Sequence, residues 1–184
     1  AHILDRTKPR VIIADIGVAA KLDQIRDKLG FVERIIFVDD DFAETLNKHP
    51  TTYPKLDLDP NAPVAMTFTG GTTGEPKGAV VSHNARYVSA WTTALEHQIT
   101  GADIAGVVTP MFHAVSLMIW YQATVMAGCT SVMFRKWDAP DFIQKTEQHK
   151  ISTVFMVPVQ VRDLLKSDAF DQNRLATLEN IGVG

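Results

Sequence analysis

One stretch of the sequence is unlike the rest of the chain, and from residue 66 to residue 81 it reads MTFTGGTTGEPKGAVV. Residues 69–78 within it hold four of the chain's 11 glycines, three threonines and one lysine. Glycines permit positive φ and let backbone N–H groups come close to an anion. Threonine hydroxyls add hydrogen-bond donors, and the ammonium group of Lys77 suits phosphate. The stretch therefore predicts a loop that binds a polyphosphate.

The flanks of this loop are apolar and β-prone, which predicts a strand–loop–strand hairpin with strands over 64–69 and 79–81. The Walker pattern G-x-x-x-x-G-K-[ST] does not match, because Lys77 is followed by glycine and a strand, not by a hydroxyl residue and a helix. The dinucleotide pattern G-x-G-x-x-G does not match the glycine spacing either. A glycine-rich turn without a ligand is the remaining alternative, but such a turn does not require two threonines and a lysine.

The composition is that of an ordinary globular protein, with 46% hydrophobic and 21% charged residues among 184. The net charge of −3 gives no basic footprint, so we expect no binding to nucleic acid. The single cysteine, Cys129, excludes an internal disulfide and fits a reducing compartment, which predicts a cytoplasmic protein. Its apolar neighbours indicate a small buried residue and not a nucleophile.

The longest mainly apolar run, residues 115–126, is shorter than the roughly 20 residues that span a bilayer, so we expect no membrane span. The first 20 residues do not show the pattern of a signal peptide, which is a basic region followed by a long apolar core. Both ends resemble interior elements, helix-like at the start and strand-like over 180–184. We therefore expect a fragment of a longer protein.

Alternating strand and helix patterns predict the α/β class, with mostly parallel sheets flanked by helices. Residues 1–38 form a βαβ pattern, with strands at 11–14 and 34–38 and a helix over 19–29 that ends at Gly30. Residues 39–63 are a proline-rich connection with a helical turn near 42–46. Its three aspartates, residues 39–41, are interpreted as a solvated turn and not as a metal site. Residues 64–184 hold the phosphate loop and further strands at 104–108, 130–134 and 152–157.

Four helices are predicted in this last region. The first is capped by Ser82 or Asn84, carries an apolar stripe through Val88, Trp91, Leu95 and Ile99, and ends at Gly101. The second, 117–126, is apolar nearly all round and ends at Gly128. The third is capped by Asp138 with Phe142 and Ile143 inward, and the fourth runs from Pro158 to about Lys166.

Residues 68–78, FTGGTTGEPKG, closely resemble the core signature Y-T-S-G-T-T-G-x-P-K-G of the adenylate-forming (AMP-binding) superfamily, and most of all its acyl-CoA synthetases. Phe68 replaces the tyrosine, and Gly70 replaces the serine, which removes one hydroxyl donor. Weaker similarities cover most of the chain: VSHN at 81–84, PMFH at 110–113, VP at 157–158 followed by LL at 164–165, and IGVG at 181–184, which is similar to the start of a G-G-A-P element.

The resemblance implies two half-reactions. A carboxylate attacks the α-phosphate of Mg²⁺-bound ATP to give an acyl-adenylate and pyrophosphate, and coenzyme A then takes the acyl group. It also implies site residues: Lys77 and His113 would be catalytic, with His113 facing the carboxylate. The β- and γ-phosphates would be held by Thr69, Gly70, Gly71, Thr72, Thr73, Gly74 and Lys77. Trp91, Met111 and Phe112 are interpreted as core more than as pocket lining, and His83 as structural.

The expected domain is an internal fragment, residues 1–184, of the family's N-terminal AMP-binding domain. The family's later adenine- and ribose-binding elements and its C-terminal lysine have no counterpart in these residues, so we expect the isolated fragment to be inactive. Two alternatives stay open: an adenylation domain that loads a carrier protein, and a non-catalytic nucleotide-binding module. The segment 110–113 lacks the acidic residue that would meet a substrate amine, which favours a fatty or other amine-free acid. An unrelated kinase or NTPase is disfavoured by the Walker mismatch.

Overall fold

Residues 1–57 and 58–184 form two units, seen here in a computed structural model that describes residues 2–39, 41–70 and 76–184, with Thr69 described by its backbone. The first unit contains strands β1 (Val11–Asp15) and β2 (Arg34–Val38), which pair in parallel from Val11 opposite Arg34 to Asp15 opposite Val38. Its helices are α1 (His2–Thr7), α2 (Ala19–Asp23) and α3 (Phe42–Asn47). The predicted parallel pair and the helical turn after it are confirmed.

The continuous helix predicted over 19–29 is wrong. The structure has the short α2 and a separate 3₁₀ turn, Arg26–Lys28, because the N–H of Ile25 bonds back three residues to Leu22 at 3.1 Å instead of four. Neither piece buries a residue. Short helices depend on packing more than on propensity, so nothing holds this segment in one helix.

The second unit begins with the hairpin, in which β3 (Pro63–Thr69) pairs antiparallel with β4 (Lys77–Ser82). The predicted strand–loop–strand arrangement is confirmed, and the second strand begins two residues earlier than predicted. Helix α4 (His83–Glu96) follows directly, and the hydroxyl of Ser82 caps it by accepting the N–H of Ala85 at 3.2 Å.

The rest of the second unit is a parallel four-stranded sheet in the order β6-β5-β7-β8. Its strands are β5 (Ile104–Val107), β6 (Thr130–Met133), β7 (Thr153–Met156) and β8 (Asn180–Val183). The connections are a π-helix (Val115–Tyr121) continued by α5 (Gln122–Ala127), then α6 (Ala139–His149), and finally α7 (Pro158–Lys166) with a 3₁₀ turn (Gln172–Leu175). The α/β class with a parallel, helix-flanked sheet is confirmed.

Two buried clusters cover the two faces of this sheet. One is centred on Val108, Phe142, Ile143, Val154 and Leu164, with Ile151 and Met156, and it packs α6 and α7 on the sheet. The other consists of Ala94, Ile99, Val107, Trp120 and Ala123, and it packs α4 and α5 on the opposite face. Consecutive residues Val107 and Val108 point to opposite clusters, as the alternation of a strand requires. The predicted inward Phe142 and Ile143 are confirmed, as is the Asp138 cap of α6.

Of the predicted stripe on α4, Ile99 is buried, just beyond the end of the helix, but the other three residues are not. Val88, Trp91 and Leu95 are 52%, 41% and 71% exposed, whereas the small residues Ala90, Thr93 and Ala94 are buried. Small side chains let α4 approach the π-helix and α5 closely, which larger ones at those positions would prevent.

Helix α4 also ends earlier than the predicted Gly101. Gln98 adopts the left-handed conformation at φ 52°, and the N–H groups of Gln98 and Ile99 bond to the carbonyls of Leu95 and Ala94. This is a Schellman motif built without glycine.

The predicted helix over 117–126 is present as the π-helix and α5, and Gly128 ends it at φ 76° as expected. It is buried along one side through Ser116, Trp120, Ala123 and Thr124, while Val125 is 55% exposed. No helix of the described residues is long and apolar enough to cross a membrane.

Candidate functional site

The open end of the β3–β4 hairpin is formed by the last paired residues, Thr69 and Lys77. Gly70 and Pro76 follow on either side, Lys77 is exposed, and the space where a Cβ of Gly70 would lie is open. The candidate residues Gly71, Thr72, Thr73 and Gly74 lie outside the described residues. The pairing thus brings Thr69, Gly70 and Lys77 together at the base of the glycine-rich segment.

Gly78 lies against the side chains of the facing strand. A Cβ there would come within 2.7 Å of Met66 Sδ and 3.2 Å of Phe68 Cζ. Met66 and Phe68 therefore lie close over the backbone next to Lys77, an approach that a residue with a side chain would hinder. Packing of this kind fixes the register that sets Lys77 opposite Thr69.

His113 lies in a turn beyond the carboxyl end of β5, where the N–H of His113 bonds to the carbonyl of Pro110 at 2.9 Å. The side chain is exposed, and its Nδ1 accepts the N–H of Val115 at 3.3 Å. A neutral ring with this bond carries its proton on Nε2, which can then donate to an anionic oxygen. The π-helix begins directly after this turn, and π-helical turns occur frequently at functional sites.

Buried polar groups anchor the π-helix to β5 and to the residues that follow it. The hydroxyl of Ser116 donates to the carbonyl of Thr109 at 2.7 Å, and the indole N–H of Trp120 donates to the carbonyl of Gly106 at 3.0 Å. Both side chains are fully buried. The turn that carries His113 is consequently held at both ends, by β5 before it and by these two bonds after it.

Gln160 joins the carboxyl ends of β5 and β7. Its amide donates to the carbonyl of Val108 at 3.1 Å, and its oxygen accepts the N–H of Val157 at 3.0 Å. The side chain is 4% exposed, and its bond to Val108 is buried while its bond to Val157 is partly buried. Parallel α/β sheets place their ligands at the carboxyl ends of the strands, and Gln160 fixes two of those ends relative to each other.

A cleft of about 560 Å³ lies between β3, α4, the π-helix and α5. Its walls are largely apolar, and they include Leu117, Met118 and Tyr121, which follow His113 on the π-helix. Arg86 also lines the cleft, and none of the described lining residues is acidic. The cleft therefore combines apolar walls with one guanidinium.

Arg86 reaches from α4 to α5. Its Nε and Nη2 donate to Gln122 Oε1 at 2.9 and 2.5 Å, and Nη1 lies 3.5 Å from Ser89 Oγ. Partial burial lowers the pKa of Arg86 from its usual value. A guanidinium in a drier environment interacts more strongly with an anion that reaches it.

Two of the three residues interpreted as core are exposed. Phe112 is 92% exposed and Trp91 is 41% exposed, whereas Met111 packs against the cluster around Trp120. Phe112 sits in the turn next to His113, beyond the carboxyl end of β5. His83 starts α4, with its N–H bonded to the carbonyl of Ala62 at 3.1 Å, and its side chain also lines the cleft.

Cys129 is half-buried, and its thiol donates to the carbonyl of Thr124 at 3.2 Å. Burial, with the nearby charge of Asp103, raises the pKa of this thiol, which is the opposite of what a nucleophilic cysteine needs. Of the aspartates at 39–41, Asp40 lies outside the described residues. Within the described part of the chain, no three histidine, cysteine or acidic side chains are grouped so that they could hold a metal ion.

Sequence reasoning missed Arg86, Gln122 and Gln160. Gln160 carried a usable signal, because glutamine at the third position of a helix commonly bonds back to the backbone N–H of the cap residue. The pair of Arg86 and Gln122 carried none, since the two residues lie 36 positions apart and meet through helix packing alone.

The sequence profile of a family described as AMP-binding enzyme matches residues 1–184, the whole chain. Among curated relatives, 4-coumarate-CoA ligase 1 of Narcissus pseudonarcissus is 26% identical and covers 95% of this chain. The indoleacetate–CoA ligase of Aromatoleum aromaticum is also 26% identical and covers 100%. The chain spans 34% and 37% of the length of these two proteins.

Solved structures share the fold over nearly the whole chain. ATP-bound MatB from Rhodopseudomonas palustris has a TM-score of 0.87 at 18% identity and covers 100% of this chain, which spans 36% of it. The inhibitor-bound N-terminal domain of FACL13 from Mycobacterium tuberculosis has a TM-score of 0.83 at 25% identity, with 92% of this chain and 43% of that domain covered. With a family profile that matches every residue, this chain belongs to the AMP-binding enzyme family.

Proposed function

We propose that the protein containing this chain activates a carboxylic acid with ATP as an acyl-adenylate and transfers the acyl group to coenzyme A. The observation that carries this proposal is the antiparallel pairing of Thr69 with Lys77, two residues that belong to the segment resembling the family's signature. Membership of the family and the CoA ligases among its relatives support the same reaction class.

The hairpin end would hold the β- and γ-phosphates of ATP, with Thr69, Gly70, Gly71, Thr72, Thr73, Gly74 and Lys77 as the contributing residues. Lys77 would supply positive charge where pyrophosphate leaves. The negative charge that develops on this leaving group is what the protein mainly has to stabilise in this reaction. The exposed backbone at Gly70 leaves room for a phosphate to approach.

His113 would orient the acid. With Nδ1 occupied by the Val115 N–H, the Nε2–H of a neutral ring can hold one carboxylate oxygen while the other attacks phosphorus. The cleft that begins one turn further along the π-helix would take the apolar body of the acid. Its apolar walls favour a fatty or aromatic acid without an amine.

ATP and CoA are substrates here, and Mg²⁺ would arrive with the phosphates of ATP. Among the described residues, no three histidine, cysteine or acidic side chains are grouped to hold a resident ion. We predict a cytoplasmic location, although two relatives from Arabidopsis thaliana, a probable acyl-activating enzyme and a benzoate–CoA ligase, are named as peroxisomal. Residues 1–184 would be an internal part of the N-terminal domain and would not turn over in isolation.

The full-length protein tests the proposal in an ATP-dependent screen of carboxylic acids, with hydroxylamine trapping of the acyl-adenylate as hydroxamate. We expect hydroxamate from amine-free acids and acyl-CoA when CoA replaces hydroxylamine. Hydroxamate from amino acids only, with acceptance by a carrier protein, would indicate the carrier-loading alternative. ATP binding without any adenylate would indicate a non-catalytic module.

A further inference from the structure

Arg86 is placed unusually for a surface arginine, because it lies in the wall of an apolar cleft. The lining of that cleft comes from β3, α4, the π-helix and α5, all within residues 58–184. Arg10, by contrast, is exposed and pairs with the carboxylate of Glu33. Among the residues that the structure describes, no carboxylate pairs with Arg86.

The hydrogen bonds of Arg86 leave part of its guanidinium available. Three of its nitrogens point to two neutral oxygens, Oε1 of Gln122 and Oγ of Ser89, and the Ser89 contact is long at 3.5 Å. A guanidinium has five N–H donors in a rigid planar arrangement, and two of them can bond in parallel to the two oxygens of a carboxylate. Gln122 therefore holds the head group in the cleft wall without neutralising its charge.

The position of Arg86 relative to His113 sets a length. Gln122, which holds the guanidinium, follows His113 by nine residues along the π-helix and α5. Measured along the helix axis at about 1.5 Å per residue or somewhat less, the Cα atoms of His113 and Gln122 lie roughly 10 to 13 Å apart. Each bond of about 1.5 Å advances an extended carbon chain by roughly 1.25 Å, so the span corresponds to about 8 to 11 carbon atoms.

We propose that Arg86 binds a second anionic group at the far end of the acid, so that the preferred substrate is an apolar acid carrying a remote carboxylate. This inference rests on the proposed function, since it assigns His113 to the reacting carboxylate. Apolar walls between the two ends would hold the methylene chain, and the guanidinium would receive the distal carboxylate in a partly desolvated bidentate pair.

The test compares matched acids with the full-length enzyme in the hydroxamate assay: suberic against octanoic acid, and sebacic against decanoic acid. The measured quantity is the ratio of kcat/KM for the dicarboxylate to that for the monocarboxylate. Substitution of Arg86→Leu should lower this ratio about 10- to 100-fold, because it removes a charge-assisted hydrogen-bonded pair. Arg86→Lys keeps the positive charge but cannot form two parallel N–H bonds to a carboxylate, and it should give an intermediate ratio.

Arg162→Leu is the matched control, since Arg162 is exposed on α7 and outside the cleft, and its ratio should equal that of the wild type. A ratio that Arg86→Leu and Arg86→Lys leave unchanged overturns the inference and leaves the proposed function standing. Equal loss with both acids, together with a lower Tm, assigns Arg86 to helix packing or to a carboxylate elsewhere in the protein and also overturns it. If none of the acids gives hydroxamate, the proposed function is overturned, and this inference is overturned with it.

Discussion

Lys77 is the residue on which the phosphate assignment depends most directly. It is exposed at the hairpin end, opposite Thr69, where its ammonium group can reach an anion at residues 70–76. We expect Lys77→Ala to lower kcat/KM for ATP about 10- to 100-fold in the adenylation half-reaction, since hydrogen bonds to charged groups contribute about 1.5–3 kcal/mol. Pyrophosphate exchange with the full-length enzyme measures it.

Lys166→Ala serves as the control for Lys77, because Lys166 is exposed at the end of α7 in the same unit. Its exchange rate should equal that of the wild type. An exchange rate of Lys77→Ala that matches the control would remove Lys77 from the phosphate site and weaken the assignment of the whole segment.

We expect Asp103 to make the second unit sensitive to acid. Burial acts to raise its pKa, but the Ser152 hydroxyl at 2.7 Å and the N–H and hydroxyl of Thr100 outweigh burial and lower the pKa overall. A carboxyl with a depressed folded pKa stabilises the fold above its unfolded pKa of about 3.9, and that stability is lost as the pH falls through the folded value.

The stability difference between wild type and Asp103→Asn should therefore be full at pH 6 and should shrink below about pH 4. Thermal unfolding followed across this range measures the difference. Asp163→Asn, an exposed change of the same kind on α7, is the matched control for the effect of the substitution itself. A gap that stays constant down to pH 3 would mean that the Ser152 and Thr100 bonds do not favour the charged form.

At the scale of elements, the bridge made by Gln160 links β5, β7 and α7. Gln160→Met keeps the volume but leaves the carbonyl of Val108 and the N–H of Val157 without their partner. An unsatisfied buried group costs about 1–3 kcal/mol, so we expect a loss of about 2–4 kcal/mol in the free energy of unfolding of this unit. Urea unfolding measures it, with Leu165→Ala, a change at a 61% exposed position, as control.

The same variant also reports on the site. The bridge fixes the strand end that leads to Thr109 and the His113 turn, so Gln160→Met should raise KM for the acid more than KM for ATP. Equal changes in both constants would show that the bridge stabilises the sheet without positioning His113.

Local chemistry made several elements predictable from sequence. The side chains of Ser82 and Asp138 cap α4 and α6, and Gly128 ends α5, because each of these signals acts within one turn of the chain. The β3–β4 hairpin was equally predictable, because apolar residues flank the glycine-rich segment on both sides. The Thr69, Gly70 and Lys77 part of the candidate site came with it.

Tertiary packing decided what the sequence did not reveal. Periodicity marked Val88, Trp91 and Leu95 as the inner face of α4, yet the close approach of the π-helix selects the small side chains of Ala90 and Ala94. The π-helix itself is held by Ser116, which bonds to the carbonyl of Thr109, and by Trp120, which bonds to the carbonyl of Gly106, seven and 14 residues back along the chain. The Arg86–Gln122 contact likewise joins residues that are distant in sequence and meet only because α4 packs on α5.

At the scale of the whole molecule, the chain divides between residues 57 and 58 into units that each contain their own sheets. The boundary falls in a stretch, residues 48–60, that is exposed throughout and has no strand or helix. Prolines at 50, 54 and 60 keep it out of regular structure. Exposed connections of this kind are where proteases act first, because an extended backbone is available without unfolding.

Limited trypsin digestion of the full-length protein should therefore cut early after Lys55 or Lys48, within this connection. Lys55→Gln together with Lys48→Gln should abolish these early cuts, with mass spectrometry of the first products as the measurement. Lysines on α6 and α7, such as Lys145 and Lys166, should be cut later, because cleavage there requires local unfolding of helices packed on the sheet. First cuts within residues 104–183 would contradict the division into two units at this connection.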